Sequence, residues 1–217
     1  MASCATLKSI VDTAHRLEVD LLLIAGDLFD HSRLDVGVIQ GALAELKRLH
    51  IPQVLIPGNH DQLDQGSLYH RVDMKSLFPS LRFISSHEGE TLTFDELDLK
   101  VWGRAMDDHN ENFRPLAGIT PRDNGMWHLA VAHGFFLPSR PIYVPSSPIM
   151  AEEIEATGYD YVALGHAHAF RDVSQNGVKA YYSGAPHLGV TDDEQGHAAL
   201  VRLHPSRGVS VEQVPLD

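Results

Sequence analysis

Apolar patterning in the first quarter of the chain predicts a strand–helix–strand unit. Val19–Ala25 is a short, nearly continuous apolar run ended by Gly26, as expected of a buried strand. Val36–His50 repeats Ile and Leu at helical spacing, and Pro52 separates it from a second apolar run at Gln53–Ile56. Two neighbouring strands joined through a helix run parallel. The pattern therefore predicts a parallel sheet with helices packed against it.

The rest of the chain extends this unit into a mixed α/β fold. Helical spacing predicts a further helix over residues 5–18, and Trp127–Ala132 and Tyr159–Leu164 are predicted to be two more buried strands. Residues 135–148 contain four prolines, which predicts a surface loop without regular structure. No repeat or linker interrupts the sequence, so a single domain over residues 1–217 is predicted. The predicted antiparallel strands are Leu81–Ile84, Glu90–Phe94, Asp98–Trp102, Val178–Tyr182, Ala198–Leu203 and Val209–Val214.

The composition is that of a soluble globular protein. Cys4 is the only cysteine, so no intrachain disulfide can form, which fits a reducing compartment and leads us to expect the cytoplasm. No apolar run is long enough to span a membrane, and the N-terminus has no signal-peptide pattern. The formal net charge of −12 argues against tight, nonspecific binding to duplex DNA.

Each of the four buried strands is followed directly by a polar cluster. The clusters are Gly26-Asp27-Leu28-Phe29-Asp30, Gly58-Asn59-His60-Asp61, His133-Gly134 and Gly165-His166-Ala167-His168. Ligand sites in α/β sheets lie at the carboxyl ends of strands, so these side chains are predicted to meet at one rim. Carboxylate, amide and imidazole ligands suit manganese, iron or zinc. With Asp27 as a bridging carboxylate, they predict a two-metal centre whose bound hydroxide attacks phosphorus.

Each cluster also has a purely structural interpretation. A Gly-Asp pair after a strand is usually a turn, and a single histidine such as His133 is more often packed or capping. His166 and His168 could be a chance pair, because alternate residues of a strand share a face. The occurrence of all four clusters, in this order and after buried strands, favours the metal site.

The four clusters resemble motifs two to five of the calcineurin-like metallophosphoesterases. The segments LLLIAGDLFD, IPQVLIPGNHD and YVALGHAH, the last followed by YYSGAP, are most similar to the SbcD-like DNA-repair exonuclease branch of that family. The resemblance covers nearly the whole chain. It implies a two-sheet αββα sandwich and a metal-dependent phosphoesterase or phosphodiesterase. We expect Mn²⁺ as the metal, with Fe²⁺ or Zn²⁺ as alternatives.

The resemblance also implies a set of metal ligands. Asp27 would bridge both metals of the two-metal site. Asn59, His133 and His166 would complete the shell of the second metal, and His168 would belong to the first.

Other residues of the motifs would act on the substrate. By resemblance, His60 would contact the phosphate and protonate the leaving oxygen, and the carboxylate of Asp30 or Asp61 would orient its ring. His31 directly follows the Asp27 cluster, and His187 follows the YYSGAP segment. Both positions make these histidines candidates for substrate contact.

Two departures from the family pattern affect the expected activity. The family's first motif, Asp-x-His on a strand before the first helix, has no counterpart ahead of Asp27. The fold is therefore expected to lack its first strand, and the first metal would keep only Asp27 and His168, which would lower activity. The strand edge left open would favour a homodimer. SbcD-like nucleases also carry a capping domain and a segment that docks an ATPase after this domain. Neither is expected in a chain that ends at Asp217, so an ATPase partner is not expected either.

Three functions remain open from the sequence. The first is a metal-dependent hydrolase of phosphate esters, with DNA exonuclease activity as one form of it. The second is a hydrolase of small phosphodiesters or nucleotides, which the acidic charge and the missing cap favour. The third is a non-catalytic domain that keeps one metal.

Histidines outside the motifs are expected to be ordinary surface or core residues, and the loop over residues 107–112 to be a solvated turn. These histidines are His15, His50, His70, His87, His109, His128, His197 and His204.

Overall fold

The computed structural model describes residues 2–72, 74, 78–123, 125–139, 142–186 and 196–216. Its helices are α1 (Ala2–Arg16), α2 (Val36–Leu46) and α3 (Ala151–Thr157), with short 3₁₀ helices at Leu68–His70 and Asp95–Leu97. Helix α2 ends four residues earlier than the predicted segment, because the backbone N–H groups of Arg48 and Leu49 bond to carbonyls three residues back, in tighter turns. In the described part of the chain, every helix is too short or too polar to cross a bilayer.

The first sheet contains three parallel strands in the order β1 (Leu22–Ala25), β2 (Gln53–Ile56) and β3 (Leu81–Phe83). The pairing of β1 with β2 confirms the predicted strand–helix–strand unit. The prediction that Leu81–Ile84 is antiparallel was wrong, because β3 runs parallel to β2. The long connection between these two strands, which includes a 3₁₀ helix, crosses over instead of forming a hairpin.

The second sheet has six strands in the order β10-β11-β9-β6-β5-β4. They are β4 (Glu90–Phe94), β5 (Leu99–Gly103), β6 (Trp127–His133), β9 (Tyr161–Gly165), β10 (Phe170–Asp172) and β11 (Lys179–Ser183). Its four central strands run parallel, and β4 and β10 are antiparallel edge strands. The predicted strands Asp98–Trp102 and Val178–Tyr182 are therefore antiparallel to only one neighbour each. The sequence analysis did not predict β10.

Two smaller strand pairs complete the structure. β12 (His197–His204) and β13 (Gly208–Pro215) form the predicted antiparallel hairpin. β7 (Phe135–Leu137) and β8 (Pro148–Met150) pair in parallel, so the prediction of no regular structure over residues 135–148 was wrong. Pro148 is the first residue of β8, a position where a strand tolerates the missing N–H group.

The two main sheets pack face to face with helices on their outer sides. Val54, Ile56, Val101 and Val131 share the buried core between the sheets. Helix α2 covers the outer face of the first sheet, and Ile154 of α3 belongs to a second core on the far side of the six-stranded sheet. The layers therefore follow the order α–β–β–α, as the resemblance implies, and β1 lies against β6 and β9.

Helix α2 offers a matched test of this packing. Ile39 is 0% exposed, whereas its neighbour Val38 is 37% exposed. We expect Ile39→Ala to lower the free energy of unfolding by about 2–5 kcal/mol, because it leaves a cavity under the helix. Val38→Ala should change it by no more than about 0.5 kcal/mol. Urea unfolding of the metal-free protein measures both values, and equal losses in the two variants would contradict the assigned packing.

Candidate metal centre

Four of the predicted residues meet where β1, β2, β6 and β9 end. The side-chain oxygen Oδ1 of Asn59 lies 2.9 Å from Nε2 of His133 and 2.9 Å from Nδ1 of His166. Oδ2 of Asp27 lies 3.3 Å from the same Nε2 of His133. Because the carboxyl ends of parallel strands point to one rim, four side chains that are far apart in sequence form one cluster.

The ring of His133 is held by a backbone carbonyl of the other sheet. Its Nδ1 lies 2.7 Å from the carbonyl oxygen of Ala25, which can only accept, so Nδ1 carries a proton. Nε2 then faces two oxygens, those of Asn59 and Asp27. Both oxygens carry lone pairs, as does an unprotonated Nε2, so the three atoms form a set that a divalent ion could bind.

The donor set of this cluster fits a divalent metal ion. Among the described residues, no three His, Cys, Asp and Glu side chains are grouped closely enough to hold a metal by themselves. The cluster therefore depends on the amide oxygen of Asn59, which is within hydrogen-bond distance of both imidazoles. One carboxylate, one amide oxygen and two imidazoles are ligands that Mn²⁺, Fe²⁺ and Zn²⁺ accept.

Asp27 occupies a conformation that turns its carboxylate toward the cluster. Its φ angle is 53°, in the left-handed region, and its Oδ1 accepts the backbone N–H of His60 at 2.9 Å. Burial raises the pKa of Asp27, but the hydrogen bond and charge of His133, together with the N–H of His60, outweigh burial and leave the pKa below its ordinary value. The carboxylate is thus stabilised in its charged form, the form that binds metal.

Two glycines allow the strand ends to approach each other. Gly26 has a φ of 84°, and a side-chain carbon there would overlap His133. A side-chain carbon at Gly165 would overlap the carbonyl oxygen of Ala25, the acceptor that orients His133. Gly26 and Gly165 are therefore required by contact across the two sheets.

The buried carboxylate of Asp61 links the loops that follow β1 and β2. It is 0% exposed and accepts the backbone N–H groups of Gly58 at 2.7 Å and of Asp27 and Phe29 at 3.2 Å. The hydroxyl of Tyr69 donates to its Oδ2 at 2.6 Å. Burial raises the pKa of Asp61, against the effect of these donors. Tyr69 was not singled out from the sequence, since nothing near it distinguishes it from a core tyrosine.

His60 is exposed at the rim of the cluster, and no carboxylate contacts its ring within the described structure. Its Nδ1 lies 2.9 Å from the backbone carbonyl oxygen of Asp30. The carboxylate of Asp61 is used by the loops, as described above. Of the two carboxylates considered from the sequence, neither orients His60 here; the main chain of Asp30 does.

The other predicted residues lie at or beyond the edge of the cluster. His168 is exposed and lies two residues beyond His166, just after the end of β9. His31 is exposed, and its Nδ1 accepts the backbone N–H of Arg33 at 3.2 Å. His187 lies outside the described residues.

Two residues that the sequence analysis did not assign to the site surround His166. The ring centroid of His109 is 5.7 Å from that of His166, and the ring of Phe135 is 6.2 Å away. Burial, together with the charges of His133 and His109, lowers the pKa of His166 to about 4. His109 was predicted to be an ordinary surface or core residue; the structure places its partly exposed ring beside that of His166. Its loop has no recognisable motif that could have identified it.

The four hydrogen bonds to the carboxylate of Asp61 lead to a stability prediction. Asp61→Asn replaces one acceptor oxygen by an NH₂ group, which must face N–H or O–H donors in either orientation. We expect a loss of about 1–3 kcal/mol in the free energy of unfolding, since at least one buried donor is left without an acceptor. Tyr69→Phe removes a single hydrogen bond and should cost about 1 kcal/mol. Urea unfolding measures the loss in each variant. An Asp61→Asn protein as stable as the wild type would show that these hydrogen bonds do not hold the loops together.

Comparison with known proteins places these features in one family. The sequence profile of the calcineurin-like phosphoesterases matches residues 2–170. The DNA double-strand break repair protein Mre11 of Methanopyrus kandleri is 27% identical over 208 residues, covering 88% of this chain and 46% of that protein. A component of the nuclease SbcCD of Staphylococcus epidermidis is 26% identical over 194 residues, covering 76% of this chain and 50% of that protein. The chain thus spans about half the length of these relatives.

A solved structure of an archaeal phosphodiesterase shares the fold. It superposes with a TM-score of 0.54 at 12% sequence identity and covers 98% of this chain and 92% of its own. At this identity, the likeness concerns the arrangement of sheets and helices.

Proposed function

Because the chain belongs to the calcineurin-like phosphoesterase family, we propose that it is a metal-dependent phosphodiesterase acting on nucleotide phosphodiesters. The observation that carries this proposal is the meeting of Asp27, Asn59, His133 and His166, with Nε2 of His133 facing two oxygens. These four residues would hold one divalent ion, and we propose Mn²⁺. His168, exposed beside them, would contribute to a second, weaker site together with Asp27.

A bound divalent ion would supply an acidified water and stabilise negative charge on the phosphate oxygens. The chain itself would supply the proton for the leaving oxygen through His60. Since Nδ1 of His60 faces the carbonyl of Asp30, that nitrogen carries one proton, and a second proton on Nε2 is the one that His60 would give to the leaving oxygen, leaving a neutral ring. The backbone N–H of His60 also donates a hydrogen bond to the carboxylate of Asp27. A single residue therefore supports the proposed metal ligand and carries the proposed acid.

The substrate could be the end of a DNA strand or a small nucleotide diester. The names of the two relatives, a DNA repair protein and a nuclease component, favour DNA. The net charge of −12 favours the second candidate, because an acidic surface repels a long polyanion more than a single diester. Hydrolysis of bis(p-nitrophenyl) phosphate with Mn²⁺ tests the shared chemistry, and release of nucleotides from linear DNA separates the two substrates. A protein without Mn²⁺-dependent turnover of either substrate would be the non-catalytic alternative.

Asp27→Asn should abolish turnover and weaken metal binding. The substitution removes the only carboxylate of the cluster while keeping its size. Titration calorimetry with Mn²⁺ on the wild type should give one tightly held ion per chain and a much lower affinity in the variant. Unchanged affinity would remove Asp27 from the metal centre. Asp64→Asn, in the loop beyond β2, is the control and should bind Mn²⁺ like the wild type.

His60→Ala should keep the metal and lose turnover. A positioned general acid contributes about 10²–10⁴-fold to the rate. The loss should be larger for diesters with poor leaving groups, because good leaving groups need no proton. Rates for a p-nitrophenyl ester and an alkyl ester, measured at saturating Mn²⁺, make the comparison. Equal losses for both esters would show that His60 positions the phosphate and does not protonate the leaving oxygen.

A further inference from the structure

An aromatic side chain is exposed directly beside the metal-ligand cluster. Phe135 is 43% exposed, and its ring lies edge-on to that of His166, with centroids 6.2 Å apart. A single exposed apolar residue is ordinary on a protein surface. Phe135 differs because its ring contacts His166, a residue of the proposed phosphate site.

His109 contacts the same imidazole from a different part of the chain. Its ring is 5.7 Å from that of His166, tilted by 59°, and the side chain is only partly exposed. His109 and Phe135 thus both border the ring of His166.

Buried backbone contacts fix both residues in place. Ser147 is 0% exposed; its N–H donates to the carbonyl of Asn110 at 2.7 Å, and its carbonyl accepts the N–H of Phe135 at 3.0 Å. One buried residue therefore joins the His109 loop to the start of β7.

The hydroxyl of Tyr182 holds the backbone on both sides of Phe135. It donates to the carbonyl of Gly134 at 2.7 Å and accepts the N–H of Phe136 at 2.8 Å. The exposed ring consequently projects from a backbone that is anchored at residues 134, 135 and 136. A rigidly presented aromatic ring binds a ligand at a lower entropic cost than a ring on a flexible loop.

We propose that Phe135 and His109 form the subsite for the nucleobase of the substrate, with the base stacked on the Phe135 ring. The inference rests on the proposed function and names the group that is recognised beyond the phosphate. Every base has an aromatic face, so stacking on Phe135 would select nucleoside esters over simple alkyl esters without selecting a base sequence.

The test uses two esters that share a leaving group. Thymidine 5′-(p-nitrophenyl phosphate) carries a base, and methyl p-nitrophenyl phosphate does not. Phe135→Ala should raise KM for the thymidine ester about tenfold, within the range measured for loss of one stacked base, and leave the methyl ester within about twofold. Phe135→Tyr should keep the wild-type ratio between the two esters. An equal loss for both esters would overturn the subsite.

Tyr143→Ala is the matched control. Tyr143 is 89% exposed in the same stretch between β7 and β8, and in the described structure its ring makes no contact with the rings of the cluster. The control should leave both esters unchanged. A loss equal to that of Phe135→Ala would show that any exposed aromatic near the site has this effect, and would overturn the assignment to Phe135.

A binding measurement separates failure of the subsite from failure of the proposed function. Calorimetry in Mn²⁺ compares thymidine 5′-monophosphate with inorganic phosphate, without any turnover. Phe135→Ala and His109→Ala should weaken the nucleotide about tenfold and leave phosphate unchanged. If the wild type hydrolyses neither ester, but the two variants bind the nucleotide more weakly than the wild type and phosphate equally well, the proposed function fails and the subsite stands. If both variants bind the nucleotide as tightly as the wild type does, the subsite is overturned, whatever turnover is measured.

Two further arms complete the design. Mn²⁺ affinity is measured in His109→Ala, and a loss there would assign His109 to the metal centre and remove it from the base subsite. An eight-residue thymidine oligonucleotide is compared with the mononucleotide. Tighter binding of the oligonucleotide identifies a nucleic-acid strand as the source of the base, and equal binding identifies a small nucleotide. In both cases the subsite stands only if Phe135→Ala binds the tested ligand more weakly than the wild type.

Discussion

The carboxylate of Asp61 joins the two loops that carry Asp27 and Asn59, two residues of the proposed metal centre. Three backbone N–H groups, from Asp27, Phe29 and Gly58, converge on it, and Tyr69 supplies a fourth donor. A buried carboxylate is costly unless donors surround it, and here the donors are the main chain of the site itself. The loops after β1 and β2 are thereby held in one arrangement, in which Asp27 and Asn59 both face Nε2 of His133.

A second contact ties this half of the site to the other sheet. The carbonyl of Ala25, the last residue of β1, accepts a hydrogen bond from Nδ1 of His133 at the end of β6. Gly165, at the end of β9, has no side chain because that carbonyl lies where its Cβ would be. The close approach of the two sheets at this point and the orientation of His133 therefore depend on the same few atoms. A shift of one sheet against the other would change the cluster directly.

The residues of the cluster could be predicted from sequence because each lies at or within three residues of the end of an apolar strand, although β1 is only half-buried in the structure. Apolar runs locate the strand ends, and the polar residues that follow them share a rim by geometry alone. The partners of His60 could not be predicted, since a main-chain carbonyl has no sequence signal and took the place expected for a carboxylate. His109 and Phe135 were missed for a related reason. They reach His166 through a loop and a short strand positioned by the buried backbone of Ser147, a contact between residues distant in sequence.

The direction of β3 illustrates the same limit at the level of the fold. Short alternating segments such as Leu81–Phe83 show which residues are buried, and its pattern of buried, exposed and buried residues agrees with a strand. Strand direction depends instead on the connection, and that connection carries Tyr69 to Asp61 before returning to β3. A short hairpin between β2 and β3 would not contain the segment that brings Tyr69 to Asp61. The crossover that makes β3 parallel is thus the same segment that supplies the fourth donor to Asp61, so the topology of the first sheet and the order of the metal-ligand loops have a common origin.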